Sequence, residues 1–234
     1  GGQKKFDPVF FDNLLGKLIS SEDLFVDYYG RENYVTIQIV RDKQGQEEEV
    51  IAFIDLVNDR NKPCLKAWEV ASVISYGTPE GWGRLLYDIA MEKLGLIMSD
   101  REGVSSKARA IWDSFAQRSG EIERVQLDDI YDSLTPGYPD DNCAIAPYNT
   151  YGLAGNDYEF SPDPKFRNYY FSDSSSPKLR DDVKAGEDIP ADYARTKKYY
   201  ERLLSGPLAG AYRKKGGATP VLDSLIRSKK FREK

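Results

Sequence analysis

The sequence predicts an α+β, or mixed α/β, fold over about its first 130 residues. Two runs of β-forming residues, 34–40 and 50–57, flank turn-forming residues at 43–46 and so predict a β-hairpin. From residue 65 onward, apolar runs with the period of a strand alternate with runs that have the period of a helix. A hairpin followed by alternating strands and helices is typical of a sheet with helices packed on it.

Local patterns place the individual elements. Apolar residues at helical spacing predict a first helix over 6–19, with an Asp-Pro pair as its start signal. A third strand is predicted over 65–74, where simple alternation places Ser72 on the same face as Val70. The remaining elements are a helix over 84–94 that Gly95 ends, a short strand over 96–98, a helix over 105–118 and a strand over 122–127.

The composition changes near residue 133. Prolines, glycines and tyrosines are frequent from there to about residue 190, which predicts little regular structure. The many aromatic rings favour burial, so this segment is expected to wrap a surface of its own domain or of a neighbour. Two helices are predicted over 192–204 and 220–231. We therefore divide the chain into a domain at 1–133 and an irregular, aromatic-rich extension at 134–234, which ends in helices and offers contacts to a protein partner or a second copy.

The composition excludes several classes of function. The 234 residues include no histidine, which removes Ser-His and Cys-His nucleophiles and the commonest transition-metal ligand, so no metal is expected. A net charge of -5 gives no overall reason to expect nucleic-acid binding. The apolar runs are too short to span a membrane and no signal-peptide pattern is present, which predicts a location in the cytoplasm or inside an assembly. Cys64 and Cys143 form neither a disulfide framework nor a zinc motif, so two thiols are expected.

The most informative motif lies between the third predicted strand and the helix that follows it. Gly77, Gly81 and Gly83 space this turn. The backbone N–H groups of such a turn can converge on one anionic group at the positive end of the helix. The motif therefore predicts a phosphate-binding loop. The alternative is an ordinary strand-to-helix connection, because a pair of glycines alone is a weak signal.

Residues 34–127 resemble the GNAT superfamily of N-acetyltransferases. In that family, a loop with Arg or Gln, two residues, Gly, one residue, and Gly or Ala leads into the helix that holds the acyl-CoA pyrophosphate. The matching positions here are Thr78, Gly81 and Gly83, so both glycines are kept and the first position differs. The resemblance implies a central twisted, mostly antiparallel sheet flanked by helices, with acetyl-CoA as the acyl donor. It assigns donor binding to Gly77, Thr78, Gly81, Trp82, Gly83 and Arg84.

The resemblance also implies catalytic groups. Glu69, on the strand before the glycine turn, stands where a GNAT enzyme carries a general base for the acceptor amine, and a solvent-facing or salt-bridged strand carboxylate is the alternative. The family's tyrosine, which protonates the departing thiolate, falls here on Trp112. Because an indole cannot act as that acid, Tyr87 and Tyr76 are the candidate substitutes. Packing on the flank of its helix is the alternative for Tyr87.

Two functions from different classes follow. The first is an N-acetyltransferase that moves an acetyl group from acetyl-CoA to an amine. The second is a non-catalytic GNAT-fold module, structural or interacting, of a phage particle or another assembly, since residues 85–112 are similar to acetyltransferase-like proteins carried by tailed phages. The retained glycines favour the first function, and the missing acid favours the second.

Overall fold

The structure is a computed structural model that describes residues 6–58, 64–76, 81–100, 104, 106–129, 142–143, 206 and 209–234. The helices in these ranges are α1 Pro8–Ser20, α2 Trp82–Leu94, α3 Ser106–Gln117 and α4 Pro220–Arg227. The strands are β1 Leu24–Gly30, β2 Tyr34–Arg41, β3 Glu49–Val57, β4 Trp68–Ser75, β5 Ile97–Ser99, β6 Ile122–Gln126, β7 Asp128–Asp129, β8 Asn142–Cys143, β9 Gly210–Lys214 and β10 Phe231–Glu233.

Helix α1 begins where its start signal predicts. The Oδ1 atom of Asp7 accepts hydrogen bonds from the backbone N–H groups of Val9, at 3.0 Å, and Phe10, at 3.2 Å. Proline at the first helical position already has a helical φ and lacks an N–H group that would need a partner. One face of the helix is buried, through Phe11, Leu14 and Leu18. The predicted first helix is therefore confirmed.

Eight of the described strands form one mixed sheet, in the order β10-β1-β2-β3-β4-β5-β9-β6. Neighbours from β1 to β4 are antiparallel, as are the pairs that β9 makes with β5 and β6. The pairs β4–β5 and β1–β10 are parallel. The predicted α+β class, with helices flanking a mixed sheet, is confirmed.

The main core lies between the sheet and its helices. One cluster of buried side chains includes residues from all four helices and from the central strands. Trp82 and Leu86 of α2 and Ile37 and Ile54 of the sheet are each no more than 1% exposed. Burying one large apolar side chain contributes about 1.5–3 kcal/mol, so this cluster supplies most of the drive to fold. It also fixes α2 firmly against β3 and β4.

A β-bulge interrupts the alternation of β4. Val70 pairs with Leu56 and Ser72 pairs with Asp55, so Ala71 is an extra residue without a partner in β3. Each side chain after the bulge points to the face opposite the one that simple alternation gives. The prediction that Ser72 shares a face with Val70 is therefore wrong. Ser72 instead lies on the face of Asp55, away from the main core.

The last part of the chain belongs to the same sheet as the first. Strand β9 inserts between β5 and β6, and β10 pairs with β1 at the opposite edge. Residues 209–234, which the sequence patterns assign to the extension at 134–234, therefore contribute two strands to the sheet of the first part of the chain. The last predicted helix ends at Arg227, and Phe231 begins a strand, because Lys229 adopts a left-handed φ of 57° and turns the chain. The helix predicted over 192–204 lies outside the described residues.

A strained turn precedes β4. The sequence predicts that this strand begins at residue 65, whereas it begins at Trp68. Cys64, Leu65 and Lys66 form a 3₁₀ turn with positive φ values of 32°, 51° and 55°. Cys64 is disulfide-bonded, so the expectation of a thiol at this position is wrong. The sequence contains one other cysteine, Cys143. A covalent cross-link of this kind helps to hold an unfavourable backbone conformation.

Candidate functional site

Pairing between β4 and β5 stops partway along β4 and leaves an open strand edge, which we call the crevice. The two strands share three paired positions, Trp68 with Ile97, Glu69 with Met98 and Val70 with Ser99. Strand β5 ends there, whereas β4 continues to Ser75. Among the described residues, no strand pairs with Ala71–Ser75 on the β5 side. The bulge at Ala71 lies at the point of separation, and Ala71, Ile74 and Ser75 are exposed.

The N-terminus of α2 lies beside this crevice. Gly81 is its N-cap and provides no side chain, and no described side chain caps the helix in its place. The backbone N–H groups of Trp82 and Gly83 belong to the first turn, where an α-helix offers no internal acceptor. A Cβ atom added at Gly83 would lie 3.4 Å from Val73 Cγ1, which shows how closely α2 begins against the open part of β4. Uncapped donors and the positive helix end together favour an anionic ligand here.

Glycine is required at position 81 for two separate reasons. Its φ of 117° lies in a region that residues with a side chain rarely adopt. A Cβ atom at this position would also come within 2.7 Å of the Phe10 ring of α1. Helix α1 therefore packs directly against the start of α2 and fixes the direction of its first turn.

The structure brings four of the six predicted donor-site residues together at the start of α2. These are Gly81, Trp82, Gly83 and Arg84. The Trp82 side chain is 1% exposed and lies in the core, so its backbone N–H is the part that faces the first turn. Arg84 is half-buried, and its backbone N–H donates to the Gly81 carbonyl at 2.9 Å. Gly77 and Thr78 lie outside the described residues.

Tyr87 lies in the core on the flank of α2. It is 1% exposed, and its ring packs edge-on against Trp112 at 5.1 Å and Phe115 at 5.9 Å between centroids. Burial raises the pKa of the Tyr87 hydroxyl above the usual range of tyrosine. These surroundings favour the packing interpretation of Tyr87 over a role as an acid. Tyr76 is the more accessible hydroxyl, because it follows β4 and is 53% exposed.

The sheet face on the side away from the main core carries two carboxylates near the crevice. Glu69 is half-buried beside Met98, in the closed part of the β4–β5 pair. Asp55 accepts hydrogen bonds from Thr36 Oγ1 at 2.6 Å and from Ser72 Oγ at 3.1 Å. Glu69 pairs with Val57 of β3. Asp55 lies two positions before Val57 in the same strand, so the side chains of Glu69 and Asp55 share one face of the sheet. The bulge brings Ser72 to this face beside Asp55.

Asp55 is a residue of the candidate site that the sequence patterns do not mark. The available signal was a polar residue at alternate positions of two otherwise apolar strands, Thr36 in β2 and Asp55 in β3. Such alternation is common on any solvated sheet face, so it does not mark a site by itself. The bulge at Ala71, which decides that Ser72 joins this group, leaves no clear sequence signature.

The described part of the chain contains neither a membrane-spanning helix nor a cluster of metal-ligating side chains. None of its helices is long and apolar enough to cross a membrane. No group of three or more acidic, histidine or cysteine residues is arranged there to hold a metal ion.

Comparison with known proteins gave no match to a family model, to a curated protein or to a solved structure.

Proposed function

We propose that this protein is a GNAT-type N-acetyltransferase, which moves an acetyl group from acetyl-CoA to an amine. The observation that carries the proposal is the parting of β4 from β5 directly beside the uncapped start of α2. This arrangement provides a strand edge and an anion-binding helix end next to each other. Coenzyme A has the complementary chemistry, because its linear pantetheine arm carries amide groups and ends in a diphosphate.

The donor would be held mainly by backbone groups. The open edge of Ala71–Ser75 offers N–H and C=O groups to an extended, amide-containing arm, as a sheet edge does for an added peptide strand. The diphosphate would bind the N–H groups of Trp82 and Gly83 at the positive end of α2. Arg84, in the same first turn, adds a positive charge. Each element thus serves a part of the donor that is present in every acyl-CoA.

The reaction needs one bond to form and one to break. The amine nitrogen attacks the thioester carbonyl carbon, so that a C–N bond forms, the C–S bond breaks with its electron pair on sulfur, and the nitrogen loses a proton. Glu69 and Asp55, on the face beside the crevice, are the carboxylates that can accept this proton through a water molecule. Tyr76 is the exposed hydroxyl that can protonate the thiolate.

Calorimetric titration with acetyl-CoA tests the proposed donor site. We expect micromolar binding that Arg84→Glu weakens at least tenfold, about 1.4 kcal/mol, because a carboxylate then faces the diphosphate. Glutamate at the third helical position favours the helix itself, so folding is retained. The matched control Arg84→Gln removes the charge without reversing it and should weaken binding less. Equal affinity in all three proteins would reject the site.

A non-catalytic GNAT-fold module is the second candidate, in a phage particle or another assembly. The observation that favours it is the burial of both Trp112 and Tyr87 within one aromatic cluster, which leaves the position of the family's acid filled by packing. Acetyl-CoA binding without release of free thiol in the presence of spermidine, a lysine peptide and a peptide with a free N-terminus would support it. Thiol release with any of these amines supports the enzyme.

A further inference from the structure

A second cavity lies at the other end of α2 from the proposed donor site. It has a volume of about 360 Å³ and is lined by Met91, Glu92 and Gly95 of α2, by Glu123, Arg213 and Lys214, and by residues 216–218. A helix of 13 residues is about 20 Å long, so a ligand in this cavity would not touch the start of α2. The cavity therefore calls for an explanation of its own.

A cluster of buried charges lies behind the wall that Glu92 and Lys214 contribute to this cavity. Asp88, which is 0% exposed, receives two hydrogen bonds from Arg118, at 2.7 and 2.8 Å. Lys214 Nζ contacts the same carboxylate, and the Lys214 side chain is 5% exposed. Glu121 also pairs with Arg118, but its side chain is 58% exposed, so water screens its charge. Two buried cations thus share one fully buried carboxylate.

Glu92 is the second buried acid of this cluster, and one of its oxygens lacks a hydrogen-bond partner among the described residues. Its Oε2 atom accepts a hydrogen bond from the Leu222 N–H, in the first turn of α4, at 2.7 Å. Its Oε1 atom has no hydrogen-bond partner among the described residues and lies 3.6 Å from Lys214 Nζ. Burial raises the pKa of the Glu92 carboxyl to about 7, which the Leu222 N–H and Lys214 partly oppose. Near neutral pH, this side chain therefore exists in both protonation states.

Lys214 also has donors to spare. An ammonium group has three N–H donors, and in the described part of the chain Lys214 Nζ makes one short contact, with Asp88. Protonated Glu92 would add an O–H donor 3.6 Å away. At the mouth, Gly216 and Gly217 have left-handed φ values of 62° and 68° and leave the wall open. Arg213 pairs there with Glu123 at 2.8 Å, and Met91 and Ala218 provide apolar surface.

We propose that this cavity binds a small carboxylate with a short apolar chain, and that its carboxylate accepts hydrogen bonds from Lys214 Nζ and from protonated Glu92. With Glu92 protonated, the buried groups Asp88, Arg118 and Lys214 carry a net charge of +1, which the bound anion neutralises. An organic ammonium ion would instead add a third cation to this buried group. Binding is coupled to uptake of one proton above pH 7 and is independent of the donor site at the other end of α2.

Titration calorimetry with butyrate tests this site on the full chain. We expect saturable binding at pH 6.5 and a dissociation constant that rises about tenfold between pH 7.5 and pH 8.5, since the protonated form of Glu92 becomes scarce. Butyramide, which has the same shape and no charge, should not bind. No saturable binding at concentrations on the order of 10 mM butyrate would overturn the proposal.

The variant Glu92→Gln tests a carboxylate ligand against the main alternative, an organic ammonium ion. The amide keeps an acceptor for the Leu222 N–H and supplies a permanent donor in place of the protonated acid. Butyrate should therefore bind this variant with an affinity that no longer depends on pH. A cooperative thermal transition, with a melting temperature at pH 6 no lower than that of the native protein, serves as the folding control. Loss of butyrate binding, or binding of butylammonium to the native protein alone, would contradict the carboxylate assignment.

Discussion

Single residues determine how α2 begins and how it ends. At its start, Gly81 allows a backbone conformation and a contact with Phe10 that a side chain would prevent. At its end, Glu92 joins the helix to the first turn of α4 through the Leu222 N–H. The sequence marks Gly81 because glycine pairs at a strand-to-helix turn are recognisable. It does not mark Glu92, because its burial depends on β9 and α4, which arrive from the far end of the chain.

Replacing Gly81 with alanine should destabilise the protein by about 1–3 kcal/mol, since the variant combines an unfavourable φ with a clash against Phe10. Gly16→Ala is the matched control. Gly16 lies inside α1, and an added Cβ would have nothing within 4 Å, so this change should be neutral or stabilising by up to about 1 kcal/mol. Urea unfolding measures both, and equal midpoints would contradict the argument.

Glu92 should make stability depend on pH. Its folded pKa of about 7 lies above its ordinary value of 4.5, so the unfolded chain releases this proton at a lower pH than the folded protein. The contribution is complete below about pH 4.5 and is lost as the pH rises through 7. The loss is on the order of 2 kcal/mol. Glu92→Gln should flatten the free energy of unfolding between pH 5 and pH 8 relative to the native protein, as measured by urea denaturation. A parallel pH profile in the two proteins would show that Glu92 is not the group responsible.

At the scale of elements, local patterns predicted most boundaries and missed most long-range pairings. Helices α1 and α2 and the hairpin of β2 and β3 follow from periodicity and from caps that lie within each segment. The sequence patterns do not predict strand β1, and they place β9 and β10 in an irregular extension that ends in helices. These strands are short or polar at alternate positions, and distant neighbours stabilise them. The crevice likewise depends on the bulge at Ala71, which only pairing with β3 reveals.

The C-terminal strand β10 is held to the sheet by buried charge. Arg232 donates to both oxygens of Asp27, at 2.5 and 2.9 Å, and Asp27 is 0% exposed. Asp27→Asn should destabilise the protein by about 3 kcal/mol, because Arg232 would lose its buried counter-charge. Asp42→Asn, which removes a second and partly exposed partner of Arg232, should cost less than about 1 kcal/mol. Urea unfolding midpoints measure the stability of the two variants. An equal loss of stability in both would show that burial of the carboxylate does not determine its contribution.

At the scale of the whole molecule, both ends of the chain complete one sheet. Basic residues are frequent near the C-terminus, and charge patterning alone favours a solvated surface for them. Two of them pair with buried acids instead, Lys214 with Asp88 and Arg232 with Asp27, whereas Arg213 pairs with Glu123 at the surface. The sequence could not show this, because charge patterning reports sign and spacing without the partner. Strand β9 also pairs with β5 and contributes Arg213 and Lys214 to the cavity at the end of α2.

The central claim is that α2 and the open edge of β4 bind the acyl donor through backbone groups. Amide chemical shifts, followed by nuclear magnetic resonance during titration with acetyl-CoA, test it most directly. We predict saturable shifts concentrated at the N–H groups of Trp82 and Gly83 and along residues 71–75. Saturable shifts that avoid α2 and β4, or no shifts at millimolar acetyl-CoA, would contradict it.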